Sequence, residues 1–445
     1  MLELERDTLH ASLGDPVLGS ISFLNEIMAQ FPDAISFAPG APNLTFLDEF
    51  DVAHHVDKWL VHAAAQRSLS AEQARRLLYE YGPSRGLIND LVAEALHRDH
   101  SIEVGPEAVV ITVGAQEAMI LSLHALCGRE GDLLAVVDPC FVGIRGAARL
   151  LDIGVVAVDE AGDGIDFEGL QAQCRAARSR GERIRVLYVA PDYSNPSGSL
   201  MSLAARRRLL DLAERENLLL LEDGAYGFTA APGMGLPPLK ALDRDGRVVH
   251  LGTFAKVCLP GARVGYVVAD QLIRTGDGSR RLLADELAVS KSVVTVNTSP
   301  ICQALIGGML LEHGGSLTAL AHRKSELYQA NLSLLLDALD RHLSPETEPP
   351  PGVTWSRPVG GFFVRMRLPV PADAALLATS ASEYGVLWTP MSQFYGSGKG
   401  DNELRLSCSY LDADRIEEGV ARLAGFLRHE VAPGPASGTR HGRPC

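Results

Sequence analysis

Lysine is scarce in this chain. Six lysines stand against 35 arginines in 445 residues, an imbalance that reads as coding bias but leaves each lysine conspicuous. Cysteine is sparse and odd in number: Cys127, Cys140, Cys174, Cys258, Cys302, Cys408 and Cys445 are scattered, with no CxxC pair. That argues against a disulfide scaffold or a structural zinc site, and fits a reduced, cytoplasmic setting. Long apolar runs are missing too. Stretches such as Leu218 to Leu221 are far too short to span a membrane, and no charged-then-apolar leader opens the chain, so export is not expected. Basic residues (41) are outnumbered by acidic ones (55), and the formal charge of −14 repels phosphate backbones, which argues against nucleic-acid binding. What remains is ordinary globular composition, 46% hydrophobic and 22% charged, in a chain long enough for two to three domains and at least one large core.

Between about Glu49 and Leu311, short apolar runs alternate with helical patterns. Val109–Val113 leads into a helix expected at Glu117–Cys127, and Leu134–Val137 leads through Asp138-Pro139 into another. Ile184–Val189 precedes Leu203–Glu216, Leu218–Leu221 ends at Glu222-Asp223, and Val248–Leu251 and Val264–Val268 complete the series. This alternation predicts an α/β fold with a mostly parallel sheet between helices. A long helix at Leu317–Leu343 and a Pro-rich turn (Pro345 to Pro351) follow. Strands at 353–355, 361–366 and 403–407 and a closing helix at Ala413–Phe426 then suggest a smaller α+β domain. The expected division is an N-terminal arm of 1–48, with a short helix at Ile21–Ala29, packing with the small domain. A large domain of 49–311, a small domain of 312–431 and a disordered tail of 432–445 complete it.

The chemistry-bearing residues sit mostly just after strand-like runs, where open α/β sheets place ligands. Asn195-Pro196-Ser197-Gly198 is followed by Asp223-Gly224-Ala225-Tyr226, Thr253-Phe254-Ala255-Lys256 and Gly261-Ala262-Arg263. An amide, a carboxylate, a phenol, a lysine and an arginine would meet at one edge. A pyridoxal phosphate site needs this inventory: an amine for the Schiff base, a carboxylate for the pyridinium nitrogen, donors for the phenolic oxygen and cationic groups for the phosphate. Taken alone, each segment has a plainer reading, as a turn, a helix cap or a surface cation.

As an ordered set, the motifs resemble the class I/II aminotransferases of fold type I, nearest the branch of 2-aminoadipate and aromatic aminotransferases, over about Ile35 to Leu427. The resemblance implies that Lys256 forms the Schiff base and moves the substrate proton. Asp223 would pair with the pyridine nitrogen, and Tyr226 and Asn195 would bond the phenolic oxygen. Arg263, Thr253 and the turn Gly114-Ala115-Gln116, a strand-to-helix junction suited to an anion, would hold the phosphate. Phe141 would stack on the ring. Arg405 would clamp the substrate carboxylate as a planar fork, beside the Gly40 backbone and Asn195. Tyr81 would reach a partner's phosphate across a homodimer with composite sites, and Asn297-Thr298-Ser299 would do likewise. The implied reaction is ping-pong transamination between an amino acid and a 2-oxo acid.

Three departures from the family pattern stand out. Ala255 replaces a hydroxyl residue before the lysine, one glycine stands where two are usual at Gly40, and Met391 replaces a glycine after Pro390. Apolar residues near the segments that line the pocket in relatives (Phe23, Phe37, Phe141, Trp388, Phe394, Tyr395) and the lack of an arginine for a distal carboxylate point to an aromatic or other large substrate. The opening segment through Phe37-Ala38-Pro39-Gly40 is similar to aminotransferases of non-proteinogenic amino acids, including arylglycines, which suggests secondary metabolism and a mobile N-terminal substrate cap. The alternative is another pyridoxal phosphate reaction, a lyase or decarboxylase, on the same fold. A transcription regulator is disfavoured because the segment before residue 35 is too short for a helix-turn-helix domain. No metal site is expected: His54-His55 lacks further ligands at metal spacing.

Overall fold

The structure, a computed structural model, describes residues 2–43, 45–48, 50–344 and 350–431. The tail of 432–445 and most of the Pro-rich turn lie outside the described residues, as does the Phe23 side chain.

Strands are numbered in chain order. After β1 (Ile35–Ser36) come β2 (Val109–Thr112), β3 (Asp132–Asp138), β4 (Gly154–Asp159), β5 (Arg183–Val189), β6 (Leu219–Asp223), β7 (Val248–Thr253) and β8 (Gly265–Val268). The last seven form one sheet in the order β2-β8-β7-β6-β5-β3-β4. β4, β3, β5, β6 and β7 pair in parallel, while β8 runs antiparallel to both β7 and β2. Its central strands are buried along almost their whole length because helices cover both faces, which is why they read as continuous apolar runs.

This topology sets the position of the site. The parallel strands all end at one edge, so Asp223 and Thr253 emerge there. β8 runs the other way, so Arg263, just before it, returns to the same edge. Thr112 and Thr253 both pair with Gly265, which brings the Gly114 turn beside them.

A hairpin, β9 (Leu272–Arg274) and β10 (Arg280–Leu282), precedes helices Leu283–Val294 and Pro300–Glu312 and the 26-residue helix Leu317–His342. Beyond it, β11 (Thr354–Trp355), β12 (Phe363–Arg367), β14 (Thr389–Pro390) and β15 (Glu403–Ser407) form an antiparallel sheet in the order β11-β12-β15-β14. Its core joins Leu332, Leu335, Val364, Leu406, Ile416 and Leu423.

The arm touches elements of both sheets' surroundings. β1 pairs with β13 (Val386–Leu387), and Ile27 enters the small core. The stretch before it lies on the large domain: Asp15 pairs with Arg149 at 2.9 Å, and His10 bonds Asp152. Its helix spans Pro16–Gln30 and is longer than expected, because Asp15 caps the Val17 amide and Pro16 occupies the first turn.

Candidate active site

Three of the expected residues, Asn195, Tyr226 and Arg405, form one hydrogen-bonded array at the sheet edge, and the charge of a fourth, Asp223, is felt at Tyr226. Asp223 ends β6, buried, with Oδ1 accepting from the Ala225 amide (3.1 Å) and Oδ2 from the Tyr188 hydroxyl (2.5 Å). Burial pushes its carboxyl above the ordinary range, and the Tyr188 bond opposes that rise. Tyr226 is buried after the next turn, edge-on to Phe362 and Phe363. Burial raises its phenol, with the Asp223 charge adding to the effect, so it remains protonated at neutral pH. Asn195 donates from Nδ2 to the Tyr226 oxygen at 3.3 Å and accepts from Arg405 Nη1 at 2.6 Å, so its amide is oriented from both ends.

Arg405 comes from β15 in the smaller, four-stranded sheet. It is 3% exposed, donates to Ala38 O (2.6 Å) and Thr389 Oγ1 (3.3 Å), and lies over the rings of Phe363 and Phe394 at 4.5 and 5.0 Å. Its Nε has no partner, and no carboxylate of the described residues pairs with it. Burial pulls the guanidinium down to about 10. A desolvated cation with an orphaned donor is unfavourable unless an anion joins it.

Lys256 lies half-buried three residues beyond β7, its Nζ donating to the Gly40 carbonyl at 2.5 Å. Desolvation first, then the charges of Arg405 and Arg263, lower it to about 8, against a weaker pull from Asp223. Such a lysine is partly a free amine near neutral pH, as an amine nucleophile or base must be.

The third cluster is the Gly114 turn. Gly114 has φ +73°, and a Cβ there would stand 2.4 Å from Arg263 Nη2. The helix Gly114–Leu126 opens with no side-chain cap, which leaves amides for an anion. Ala115 is half-buried and Gln116 exposed. Thr253 accepts from the Ala255 amide at 3.2 Å. An exposed arginine, a hydroxyl and uncapped amides fit a phosphate. Together with the amine, carboxylate and phenol, the donor set fits pyridoxal phosphate.

Other expectations fare differently. Phe141 precedes the helix Val142–Leu150 and packs with Val142, Met391 and Phe394, one contact removed from Arg405. Tyr81 is 88% exposed and stands apart from the array. Thr298 cannot reach outward: it is buried, with its hydroxyl on the Ile111 carbonyl. Phe37 and Trp388 are fully buried. Phe37 packs on Gly419, and Trp388 donates to Ser380 inside the small core. The sequence reading missed Tyr188 and Phe363. Tyr188 was legible from strand alternation, because Val186, Tyr188 and Leu221 share one face of the sheet, as does Asp223 two residues beyond Leu221.

Residues 48–423 match the family described as aminotransferase class I and II. The chain is 46% identical over 425 residues to (S)-3,5-dihydroxyphenylglycine transaminase of Amycolatopsis orientalis, covering 96% of this chain and 95% of that one. It is 31% identical over 410 residues to 2-aminoadipate transaminase of Thermus thermophilus, covering 91% and 93%. Kynurenine aminotransferase of Pyrococcus horikoshii superposes with a TM-score of 0.78 at 25% identity, over 97% of this chain and 98% of that one. The chain therefore belongs to the class I and II aminotransferases: it is a transaminase of fold type I, and its cofactor is pyridoxal phosphate.

Proposed function

We propose that this aminotransferase moves the amino group of an arylglycine, or a closely similar aromatic amino acid, to or from a 2-oxo acid, with Lys256 as the catalytic amine. The observation that carries the reading is the convergence of an amine lowered to about 8, a buried carboxylate and a buried guanidinium with no carboxylate partner among the described residues. When bound, pyridoxal phosphate supplies an electron sink for the pair left on the substrate Cα.

The chain's own residues divide the remaining work. Arg405 binds the substrate carboxylate, beside the Gly40 backbone and Asn195, and so orients Cα. The free Lys256 amine takes the Cα proton and delivers it to C4′ of the cofactor. Asp223 holds a proton at the pyridine nitrogen. Tyr226 and Asn195 donate to the phenolic oxygen, and Gly114, Ala115, Gln116, Thr253 and Arg263 hold the phosphate. Phe141 would stack on the ring. Each amino acid leaves as its keto acid before the second substrate enters, a ping-pong order.

The substrate class is supported by the name of the Amycolatopsis relative and by the apolar surroundings of Arg405, where Phe363, Phe394 and Met391 gather. A role in secondary metabolism follows from an arylglycine substrate. The division into an arm and substrate cap (1–48), a cofactor-binding body (49–311) and a small domain (312–431) is supported by a core drawn mostly from the small domain, with Ile27, Ile35 and Phe37 of the arm and Tyr193 and Tyr226 of the body, beside three cores drawn mostly from the body.

A homodimer is supported by an exposed apolar surface next to the phosphate cradle. Val289 and Val293, one turn apart on one helix, are 59 and 86% exposed, and Tyr79, Tyr81, Val294 and Ile301 are 49 to 88% exposed; an exposed apolar helix face of that kind marks an interface. The helix carrying the three valines is tied by Lys291 to Glu117 of the Gly114 helix at 2.7 Å. Tyr81 is the residue to cross into the partner's site. The six described cysteines are all free, which favours a reducing, cytoplasmic compartment.

The test is absorption spectroscopy of holoenzyme titrated with phenylglycine, its 3,5-dihydroxy form, phenylalanine, 2-aminoadipate and glutamate. Conversion of the cofactor to its amine form by the arylglycines, reversed by a 2-oxo acid, is expected. Conversion by 2-aminoadipate but not by any aromatic donor overturns the substrate class, and release of carbon dioxide instead identifies a decarboxylase.

A further inference from the structure

Asp223 is buried at the sheet edge, and it has two fixed donors. One is the Ala225 amide on Oδ1. The other is the Tyr188 hydroxyl on Oδ2, from the adjacent strand β5. Tyr188 is 2% exposed, and its ring lies in the core between the sheet and the helices, so the phenol has no freedom to swing away. The other titratable groups around Asp223 are His250 on β7, Glu222 on β6, Tyr226 and Lys256. His250 does not compensate Asp223 in full, because its Nδ1 is engaged by Glu222 at 2.9 Å.

We propose that Tyr188 is a positioning residue for the reaction: its hydroxyl fixes the plane of Asp223 and keeps the carboxylate ionised without adding a counter-charge, so the full negative charge stays available to the pyridine nitrogen. This rests on the reading of Asp223 as that nitrogen's partner. A neutral donor differs here from an arginine or lysine. A cation in its place would also keep Asp223 ionised, but it would compete for the charge and lower the proton affinity of the nitrogen. A phenol stabilises the anion through one charge-assisted bond and leaves the net charge at minus one. Burial keeps the Tyr188 phenol well above its ordinary range, so the proton stays on the donor.

The experiment uses holoenzyme reconstituted with cofactor labelled with 15N at the pyridine nitrogen, and reads by NMR the pH at which that nitrogen loses its proton. Removing the donor destabilises the Asp223 anion, so the nitrogen holds its proton less well. Tyr188→Phe is expected to move the midpoint down by about one pH unit or more, and to slow the first half-reaction by about 10- to 100-fold with little change in KM. Tyr266→Phe, which removes another buried hydroxyl without touching Asp223, is the control and is expected to leave the midpoint in place. Should Tyr188→Phe fail to fold, 3-fluorotyrosine at position 188, a stronger donor of nearly the same shape, is expected to raise the midpoint.

An unmoved midpoint in the Tyr188 variants, or an equal shift in Tyr266→Phe, overturns the proposal. Asp223→Asn separates the two readings. If it abolishes the protonated signal while Tyr188→Phe does not shift it, only the role of Tyr188 fails. If it leaves the signal unchanged, the assignment of Asp223 itself fails.

Discussion

Asn195 and Arg405, 210 positions apart in the chain, are joined by a 2.6 Å hydrogen bond from Nη1 to Oδ1. The bond links the loop after β5 to β15, and it turns the amide so that Nδ2 faces Tyr226. On the proposed reading, one guanidinium thereby orients the group that would bond the cofactor's oxygen while keeping Nε for the substrate.

Arg405→Lys tests that double duty. An ammonium has no planar fork and cannot serve Asn195, Ala38 and a carboxylate in one geometry. The expected result is a loss in kcat/KM of about 100-fold, carried mostly by KM, with the circular dichroism spectrum intact. A change below threefold in steady-state kinetics removes Arg405 from the carboxylate clamp.

Lys256 should declare itself through pH. The rate at which cofactor-free protein captures pyridoxal phosphate covalently should rise with pH about a midpoint near 8, where the amine becomes neutral. Arg405→Gln takes away a positive neighbour and should move that midpoint up. The same shift enters stability. Because the folded value lies below the ordinary lysine value, protonation of Lys256 opposes folding, and the cofactor-free protein gains stability as pH rises from about 8 towards 10.5. Lys256→Met, compared by denaturant titration at several pH values, should lack that gain.

Gly114→Ala addresses the phosphate cradle. Its φ of +73° strains an L-residue, and the new methyl would meet Arg263 Nη2 at 2.4 Å. We expect about 1 kcal/mol of lost stability from the backbone and an increase of about tenfold in the cofactor Kd, because Arg263 must move. Equilibrium dialysis of the cofactor reads the second effect, and unchanged affinity would show that the turn does not hold the phosphate.

Val293→Asp probes the exposed valine face, where Val293 is 86% exposed. In a monomer, a charge at so open a position costs little. In a dimer it is buried against the partner and weakens association by several kcal/mol. Light scattering after size-exclusion chromatography should show a shift to monomer, accompanied by loss of bound cofactor. A variant that keeps both its mass and its cofactor rules out this face.

Much of this arrangement was legible in the sequence, for physical reasons. Buried parallel strands are written as apolar runs, so β3, β5, β6 and β7 were visible, and the loop residues after them fell at the correct edge. The helices Leu203–Glu216 and Ala413–Phe426 appear with the expected bounds because each begins at a side-chain cap, Ser202 and Asp412. Less visible was what long-range packing decides. Phe37 and Trp388 carry the same apolar signal as Phe394, yet only Phe394 lies beside Arg405. Nothing local to Thr298 announces that its hydroxyl is spent on Ile111. The start of the first helix was missed although Asp15-Pro16 signals it, because its apolar pattern gathers only further along.

At rest, the terminal nitrogens of Arg405 are occupied by three neutral acceptors: Asn195 Oδ1, Ala38 O and Thr389 Oγ1. Nε stays open, but a two-pronged fork also needs a terminal nitrogen, and a carboxylate can take Nη2 from the longer Thr389 contact, since its charge roughly doubles the strength of each hydrogen bond. A benzylamine, with the same ring and amine but no acid group, finds the guanidinium already engaged. The resting contacts thus screen molecules by their head group before the side chain is inspected, and an amine formed by stray loss of carbon dioxide would be let go rather than held as an inhibitor.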